Sequence, residues 1–492
     1  FAPGRLPDEA PADSLRKRLT ARGLYVDWVL QAQQEGDWAD WDALLAEIEE
    51  LAQDAIQHGF VNGLEPFSLL TLPVAPALQA AVARAQAAAV DAWMAPLRQN
   101  LRLAWPTHRT GERLQVGYVS GDFRHHATAH LTRKLFGLHD RTQFEIVGFS
   151  LRPDDGSGYR RDIVAGCDRF VELFGLSNAE AAARIAQEGI HILVDMHGYT
   201  RFARPEIFAL RPAPVQISFL GYPGTLGAAY LPYIIADRVV LPDELRLWFS
   251  ECPVYLPDCY QVNDGDQPIA ETGLTRTAAG LPEDGFVYCC FNNTYKIEPG
   301  VFGAWMEILR QVPASVLWLL ADTPRSADNL RRAAAKRGVA PERLIFAPRL
   351  PKAEHLERHR LADLFLDTFV VNAHTTASDA LWAGLPVLTL RGETFQSRVC
   401  ASLLTALGLP ELIAANRAEY EALAVALARE PGRLGALQVR LQEHRQAGPL
   451  FDTVGFVRSL EQAFEAIWAA HTAGRTPKAL YIQKDSAAPV II

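Results

Sequence analysis

Three adjacent polar residues, His374, Thr375 and Thr376, stand where a short apolar run gives way to helical spacing. The residues that follow, ASDALWA, place apolar side chains at helical intervals, and GLP ends the helix before a second apolar run, VLTL. In a parallel α/β protein, such a turn lies at the carboxyl edge of the sheet, where ligands bind. Unpaired N–H groups and the positive end of the helix dipole favour an anion there. The pattern predicts that this turn holds a diphosphate.

A second polar segment, GDFRHHATAH, follows a strand-like run and offers a base to an attacking hydroxyl. Histidine is the natural proton acceptor near neutral pH, and His125, His126 and His130 all lie here. Asp122 is the rival base, directly or through a water molecule. A zinc site on His126 and His130 is disfavoured, because no further ligands are apparent nearby.

Composition is that of a globular protein and excludes some classes of function. The 492 residues suffice for roughly two to four domains, with 49% hydrophobic and 21% charged residues. The net charge of -9 argues against a nucleic-acid partner, and no apolar run reaches the roughly 20 residues of a membrane span. The six cysteines form no CxxC pair and no signal peptide is visible, so we expect reduced thiols in a cytoplasmic protein.

The spacing of apolar residues predicts an α-helical start and then two α/β domains. Residues 1–105 show helical spacing only, and aromatic-small patterns there are typical of the end of a tetratricopeptide array. Two series of strand-like runs alternate with helices afterwards, which predicts two Rossmann-like domains with parallel sheets. The polar segment 263–285 separates them, and the tail after residue 474 is predicted to be loosely held. The predicted domains are 1–105 (helical), 106–283 (N-terminal Rossmann-like), 284–450 (C-terminal Rossmann-like) and 451–492 (helix and tail).

Two facing Rossmann-like domains suit a nucleotide-sugar glycosyltransferase, but also epimerases, periplasmic-type binding proteins and dehydrogenases. No G-x-G-x-x-G follows the first strand of either domain, which disfavours a dinucleotide. The P-loop motif G-x-x-x-x-G-K-[ST] is absent as well, which disfavours an ATPase.

Ten sequence blocks then narrow the choice. They occur in the order GYVSGDFRHHATAHL, DDGSGYR, GIHILVDMHGYT, FALRPAPVQISFLGYPGTLG, CCFNNTYKI, VPASVLWLL, PKAEH, LADLFLDT, NAHTTASDALWAGLPVLTL and GETFQSRVCASLL. Together they closely resemble the catalytic region of the O-linked N-acetylglucosamine (O-GlcNAc) transferases, over roughly residues 100–470. The resemblance implies a two-domain glycosyltransferase-B fold behind a tetratricopeptide superhelix, the donor UDP-GlcNAc and no metal. The short linker between the domains resembles that of bacterial members, which lack the long insertion of animal ones.

The resemblance also implies roles in binding the donor. Lys296 matches the lysine that contacts the diphosphate, and the three residues of the turn match contacts to diphosphate and sugar. Asp379 matches a residue that hydrogen-bonds the ribose. The remaining nucleotide positions are Leu350, Lys352 and His355 for the base, with His355 stacking on it, and Arg358 and Asn293. A metal on the i, i+4 pair His355 and His359 is disfavoured for want of a third ligand.

On the acceptor side, the resemblance makes His126 the active-site histidine, with Asp122 kept as the alternative base. Leu220 and Gly221 match positions at the GlcNAc, and Tyr295 and Val371 match positions near the sugar or acceptor. Two residues depart from the family pattern, Ala127 where proline is usual and Asn293 where animal members carry glutamine.

The implied reaction is a single inverting displacement that links GlcNAc to Ser or Thr hydroxyls of a protein or peptide. Two alternatives stay open at this point. One is a Spindly-type O-fucosyltransferase that uses GDP-fucose, and the other is a non-catalytic repeat scaffold. No nucleic-acid or membrane partner and no cofactor is predicted.

Overall fold

The computed structural model describes residues 26–39, 41–58, 64–106, 111–320, 323–484 and 490–491. Its described part begins with helices, as predicted, and these run over 26–34 (α1), Trp41–His58 (α2), Pro66–Leu70 (α3) and Pro76–Leu101 (α4). Helix α4 packs on the N-terminal α/β domain, where Gly227 allows close approach: a Cβ there would lie 2.5 Å from the Arg84 backbone nitrogen. That the helices end a tetratricopeptide array stays a prediction.

The N-terminal α/β domain contains a nine-stranded sheet in the order β15-β14-β7-β6-β5-β4-β1-β2-β3. All its neighbouring strands are parallel except β14 and β15. The strands are Leu114–Ser120 (β1), Phe144–Ser150 (β2), Arg169–Glu172 (β3), Ile192–Asp195 (β4), Val215–Ser218 (β5), Tyr233–Ala236 (β6), Cys252–Tyr255 (β7), Leu480–Tyr481 (β14) and Val490–Ile491 (β15). The helices of this domain are Ala127–Thr132 (α5), Gly158–Gly166 (α6), Asn178–Gln187 (α7) and Pro205–Ala209 (α8).

The C-terminal α/β domain contains a parallel sheet of six strands in the order β10-β9-β8-β11-β12-β13. The strands are Phe286–Cys290 (β8), Ser315–Leu320 (β9), Leu344–Ala347 (β10), Leu364–Leu366 (β11), Val387–Leu390 (β12) and Ile413–Ala414 (β13). The helices are Pro299–Gln311 (α9), Pro324–Lys336 (α10), Lys352–Arg358 (α11), Thr375–Ala383 (α12), Val399–Ala406 (α13), Arg417–Arg429 (α14) and Pro431–Ala447 (α15). Strands buried on both faces explain the continuous apolar runs of the sequence.

The chain then returns to the N-terminal domain. Helix Thr453–Thr472 (α16) packs Phe464 and Ile467 into the core beneath the first sheet. Beyond it, β14 pairs with β7, and Ile482 is buried. The prediction of a loosely held tail is therefore wrong for residues 480–482, because backbone pairing and apolar burial attach them to the sheet.

A buried carboxylate joins the two domains behind the cleft. Asp237 Oδ2 accepts hydrogen bonds from the Tyr260 N–H at 2.8 Å and from the Ser402 hydroxyl at 2.6 Å. Ser402 lies on α13 of the C-terminal domain, and Arg398 nearby donates to the Val239 carbonyl. These bonds fix the orientation of the sheets, so that their carboxyl edges face each other. None of the helices in the described part of the chain is long and apolar enough to cross a membrane.

Candidate functional site

A cavity of about 510 Å³ lies between the carboxyl edges of the two sheets. Most of the residues singled out in the sequence line it: Asp122, His126, Leu220, Gly221, Asn293, Tyr295, Lys296, Val371, His374, Thr375 and Thr376. Residues separated by up to 254 positions in the chain thus meet in one place, as the two-domain prediction requires.

The N-terminal helices form part of the cavity wall, which the sequence did not indicate. Phe67, Leu70 and Thr71 line the cavity. The buried Gln33 of α1 donates from Nε2 to the carbonyl oxygens of Thr71 at 2.8 Å and of Tyr295 at 2.7 Å. The helical region therefore contacts the turn that carries the predicted diphosphate-binding lysine.

Lys296 ends a short 3-10 turn, Thr294–Lys296, that follows β8. The half-buried Lys296 lines the cavity, and its Nζ donates to the Asn372 carbonyl oxygen at 2.8 Å. Asn372 belongs to the loop before α12, so the ammonium group and the start of that helix lie together, as predicted. Burial lowers the pKa of Lys296 to about 8, although Asp367 opposes the shift.

Asp367, which is not among the predicted site residues, shapes this loop. Its Oδ1 accepts from the backbone N–H groups of Thr368 at 2.8 Å and Ala373 at 2.6 Å, and its Oδ2 accepts from the Thr389 hydroxyl at 2.6 Å. Burial raises the pKa of Asp367 to about 6. One signal in the sequence points to it, since Asp367 stands directly after the apolar run of β11.

The start of α12 is open to the cavity. His374 is the residue before the helix, and its side chain makes no capping hydrogen bond. Its Nε2 instead lies 3.1 Å from the Gln396 carbonyl oxygen, and burial lowers the pKa of His374 to about 3, which keeps the ring neutral. The Thr376 hydroxyl donates to the side-chain oxygen of Asn292. The first-turn N–H groups of α12 are left for a ligand.

Five predicted nucleotide-binding residues lie outside the cavity lining, and they are Leu350, Lys352, His355, Arg358 and Asp379. Lys352 Nζ forms an almost fully buried ion pair with the Asp379 carboxylate, and His355 Nε2 lies 3.8 Å from Asp379 Oδ2. Three of the five are therefore together at α11 and α12. Their contacts with a base and a ribose stay predictions.

Arg358 packs into the domain instead of facing the cavity. Its guanidinium carbon lies 4.4 Å from the ring centre of Phe291, and its Nη1 donates to the Pro348 carbonyl oxygen at 2.5 Å. His359 Nδ1 is bonded to the His355 carbonyl oxygen, and burial lowers the pKa of His359 to about 3. Among the described residues, no group of three His, Cys, Asp or Glu side chains is arranged to hold a metal ion.

On the opposite wall, Asp122 lies between two histidines. Its Oδ2 is 3.3 Å from His126 Nδ1 and 3.4 Å from His197 Nδ1. His197 was overlooked in the sequence, although it follows β4, the neighbour of β1 in the sheet. His197 Nε2 lies 2.8 Å from the Arg201 carbonyl oxygen, which fixes the ring beside Asp122.

The position of one proton decides whether His126 can act as a base. His126 Nδ1 is 3.3 Å from both Asp122 Oδ2 and the Thr128 N–H nitrogen. If Nδ1 carries the proton, it donates to Asp122 and leaves Nε2 able to accept a proton. If Nε2 carries the proton, Nδ1 accepts the capping hydrogen bond of α5, and the ring has no nitrogen left to act as a base. Burial lowers the pKa of His126 while Asp122 opposes this, so the ring is neutral at pH 7.

Gly221 needs to be glycine because its backbone lies against the backbone of a neighbouring strand end. Its Cα faces the end of β4, and a Cβ built there would lie 2.0 Å from the Met196 carbonyl oxygen. Leu220 before it has a φ of 72°, in the left-handed region. The close approach is between two strand ends of the sheet, and the contact of either residue with a sugar stays a prediction.

We expect Gly221→Ala to lower the free energy of unfolding by about 1–3 kcal/mol, because the methyl group would push apart backbone segments that have no room to move. Urea unfolding followed by circular dichroism measures this. Gly435→Ala is the matched control, since it lies in α15 with no atom within 4 Å of the new Cβ and should stabilise the helix slightly. A neutral Gly221→Ala would contradict the tight packing.

Comparison with known proteins gives consistent matches. A model of glycosyl transferase family 41 matches residues 36–272 and 265–460. A probable UDP-N-acetylglucosamine–peptide N-acetylglucosaminyltransferase SEC from Arabidopsis thaliana is 37% identical over 454 residues, which cover 90% of this chain and 46% of the plant protein. A UDP-N-acetylglucosamine–peptide N-acetylglucosaminyltransferase from Caenorhabditis elegans is 30% identical over 554 residues, and the match covers 89% of this chain and 48% of the nematode protein. The chain spans about half the length of these curated relatives.

A solved structure is also similar along most of the chain. It is a mutant O-GlcNAc transferase from Thermobaculum terrenum, with a TM-score of 0.77 and 29% sequence identity, and the match covers 90% of this chain and 83% of that one. The likeness, together with the two parallel sheets, confirms the predicted two-domain fold of glycosyltransferase-B type.

Proposed function

The chain belongs to glycosyl transferase family 41, and from this premise we propose that it transfers N-acetylglucosamine from UDP-GlcNAc to Ser or Thr hydroxyls of proteins. The observation that carries the proposal is the position of Lys296, whose ammonium group lies 2.8 Å from the loop that opens α12. A cation and a helix N-terminus are suited to a leaving diphosphate. The names of the relatives, UDP-N-acetylglucosamine–peptide N-acetylglucosaminyltransferases, agree with this donor.

The proposed reaction is a single displacement at the anomeric carbon. The acceptor oxygen forms the new bond from one face while the bond to the diphosphate oxygen breaks on the other, which inverts the configuration. The electron pair leaves with UDP, whose charge is met by Lys296 and the first-turn N–H groups of α12. The hydroxyl proton goes to the pair formed by His126 and Asp122. On this account no divalent cation and no cofactor is required.

Other parts of the proposal concern partners and location. Protein or peptide chains are the acceptors, and no nucleic acid is involved. A cytoplasmic location is supported by the six cysteines, all of which are free.

Isothermal calorimetry with UDP and GDP, followed by mass spectrometry of peptides incubated with UDP-GlcNAc, tests the proposal. We expect UDP to bind and one N-acetylhexosamine to be added to Ser or Thr. Binding of GDP without UDP would instead favour a protein O-fucosyltransferase. Binding of neither nucleotide would favour a non-catalytic scaffold.

The pH dependence of UDP affinity follows from Lys296. Because its pKa in the free protein is about 8 and the diphosphate binds the charged form, affinity should be level well below pH 8, decline through that pH and fall up to tenfold per unit above it. UDP itself is fully ionised in this range, since a terminal phosphate titrates near about pH 6. Calorimetry from pH 7 to about 9.5 measures the change, and Lys296→Met should bind weakly without this dependence. A flat profile in the native protein would remove Lys296 from the diphosphate site.

A further inference from the structure

A row of alternating arginine and phenylalanine side chains leads outward from the cavity on the N-terminal domain. It consists of Arg201, Phe202, Arg152 and Phe174, which we call the arginine–aromatic ladder. The guanidinium carbon of Arg152 lies 4.3 Å from the ring centre of Phe202 and 6.0 Å from that of Phe174, and that of Arg201 lies 4.9 Å from Phe202. Arg201 and Phe202 line the cavity, whereas Phe174 is 54% exposed at the outer end.

The two loops that carry the ladder are joined by hydrogen bonds from one arginine side chain to backbone carbonyl oxygens. Arg204 donates from Nη2 to the Leu176 carbonyl oxygen at 2.8 Å and from Nη1 to the Leu173 carbonyl oxygen at 3.3 Å. The loop of Phe202 is thereby joined to the loop of Phe174. A site fixed before binding loses less conformational entropy when a ligand arrives.

The inner end of the ladder lies next to the predicted base. His197 contacts both, with Nδ1 3.4 Å from Asp122 Oδ2 and Nε2 2.8 Å from the Arg201 carbonyl oxygen. Arg152 packs beside Gly121, where a Cβ would lie 3.4 Å from Arg152 Cγ. The ladder therefore begins beside the residue that the acceptor hydroxyl would reach.

The two arginines are available to an anion. Within the described parts of the chain, no ion pair joins Arg152 or Arg201 to a carboxylate. On the loop of Arg152, Asp154 and Asp155 accept backbone N–H groups of Gly156 and His125. A guanidinium stacked on a phenylalanine ring keeps its in-plane N–H groups free, and these match a carboxylate in a bidentate way.

We propose that the arginine–aromatic ladder is a subsite for the acceptor polypeptide, and that it recognises an Asp or Glu side chain close in sequence to the reacting Ser or Thr. The inference rests on the proposed function, because the cavity must hold the acceptor hydroxyl. The rings of Phe202 and Phe174 supply apolar surface for the acceptor backbone and the stem of its acidic residue. Phosphates of a nucleic acid would fit the same arginines, but the acidic chain as a whole, with its net charge of -9, repels such a polymer.

The test uses two short Ala- and Gly-rich peptides with one central Ser, flanked by Glu in one and by Gln in the other. Binding in the presence of UDP is measured by fluorescence anisotropy, and transfer by mass spectrometry. We expect the native protein to bind and modify the Glu peptide roughly tenfold better, with a smaller difference at high salt. The double variant Arg152→Gln and Arg201→Gln should bind and modify the two peptides equally.

Arg331→Gln is the matched control. It removes another stacked arginine, 4.9 Å from the Phe346 ring in the C-terminal domain and outside the cavity lining, and should keep the preference for Glu. Equal use of the two peptides by the native protein would overturn the proposal, as would a preference that survives in the double variant. A single-stranded oligonucleotide that displaces the labelled Glu peptide at lower concentrations than the unlabelled Glu peptide does would also overturn it. Ladder-dependent binding without transfer would support the subsite and contradict the proposed function.

Discussion

Lys296→Met is expected to lower the rate of sugar transfer by about 10²–10³, because the charge that develops on the leaving diphosphate loses its nearest cation. The ammonium group of Lys296 donates to the loop before α12 at 2.8 Å, so it lies beside the helix N-terminus that would hold the diphosphate. Steady-state transfer to a peptide at saturating UDP-GlcNAc measures the effect on kcat. We expect Lys296→Ala to show a similar loss.

The variant should keep the fold, which makes the measurement interpretable. Burial lowers the pKa of Lys296 to about 8, which means that the fold destabilises the charged form relative to water although this form still predominates at pH 7. An apolar Met of similar length fits such a place, and thermal unfolding should change little. Lys336→Met at the exposed end of α10 is the control for losing one positive charge, and should transfer at the native rate. Near-native turnover of Lys296→Met would show that the leaving group is stabilised by other residues.

The fold could be predicted well where strands are long and buried on both faces. The runs that became β1, β2, β8 and β9 are mostly apolar, and turns separate them from the neighbouring helices. Strand β7 was missed because it has only four residues and includes Pro253, which normally argues against a central strand. The return of α16 to the N-terminal sheet could not be predicted either, since an amphipathic pattern shows that a helix buries one face but not which domain covers it.

The sequence could predict which site residues lie at the carboxyl edge of a sheet. Lys296 and Thr375 both follow strands of one parallel sheet, and parallel strands end at a common edge, so their meeting follows from topology. What a side chain contacts at that edge depends on packing that the sequence does not display. Arg358 has the residue type expected in a nucleotide pocket but stacks on Phe291, and Gly221 makes room for the Met196 carbonyl.

Residues that act through backbone groups were the hardest to find. Asp367 orders the loop before α12 by accepting two of its N–H groups, and Gln33 of the distant helix α1 donates to two carbonyl oxygens. Neither belongs to a charged cluster or a spacing pattern. Their roles depend on long-range contacts, which only the folded chain specifies.

Asp122→Asn is expected to lower kcat by about 10²–10⁴, the usual range for general-base catalysis. Asp122 is the shared neighbour of His126 and His197, so its charge is needed whether it takes the proton itself or orients His126. Asn keeps the size but has one acceptor oxygen and no charge, so His126 Nδ1 would prefer the Thr128 N–H and leave no basic nitrogen towards the cavity. Peptide transfer at pH 7 measures the loss, and Asp162→Asn on the exposed side of α6 is the control.

His126→Ala separates the two possible bases through the pH profile of kcat/KM. If His126 is the base, the rate of the native protein falls as pH drops through the pKa of His126, which burial places below its ordinary value of 6.5. Above that value the neutral ring is fully present and the rate stays level, until loss of the Lys296 charge lowers it above about pH 8. His126→Ala should then lose about 10²–10⁴ in rate and the acidic limb together. A variant that transfers at the native rate from pH 6 to 8 would instead assign the proton to Asp122, directly or through water, and would restrict His126 to capping α5.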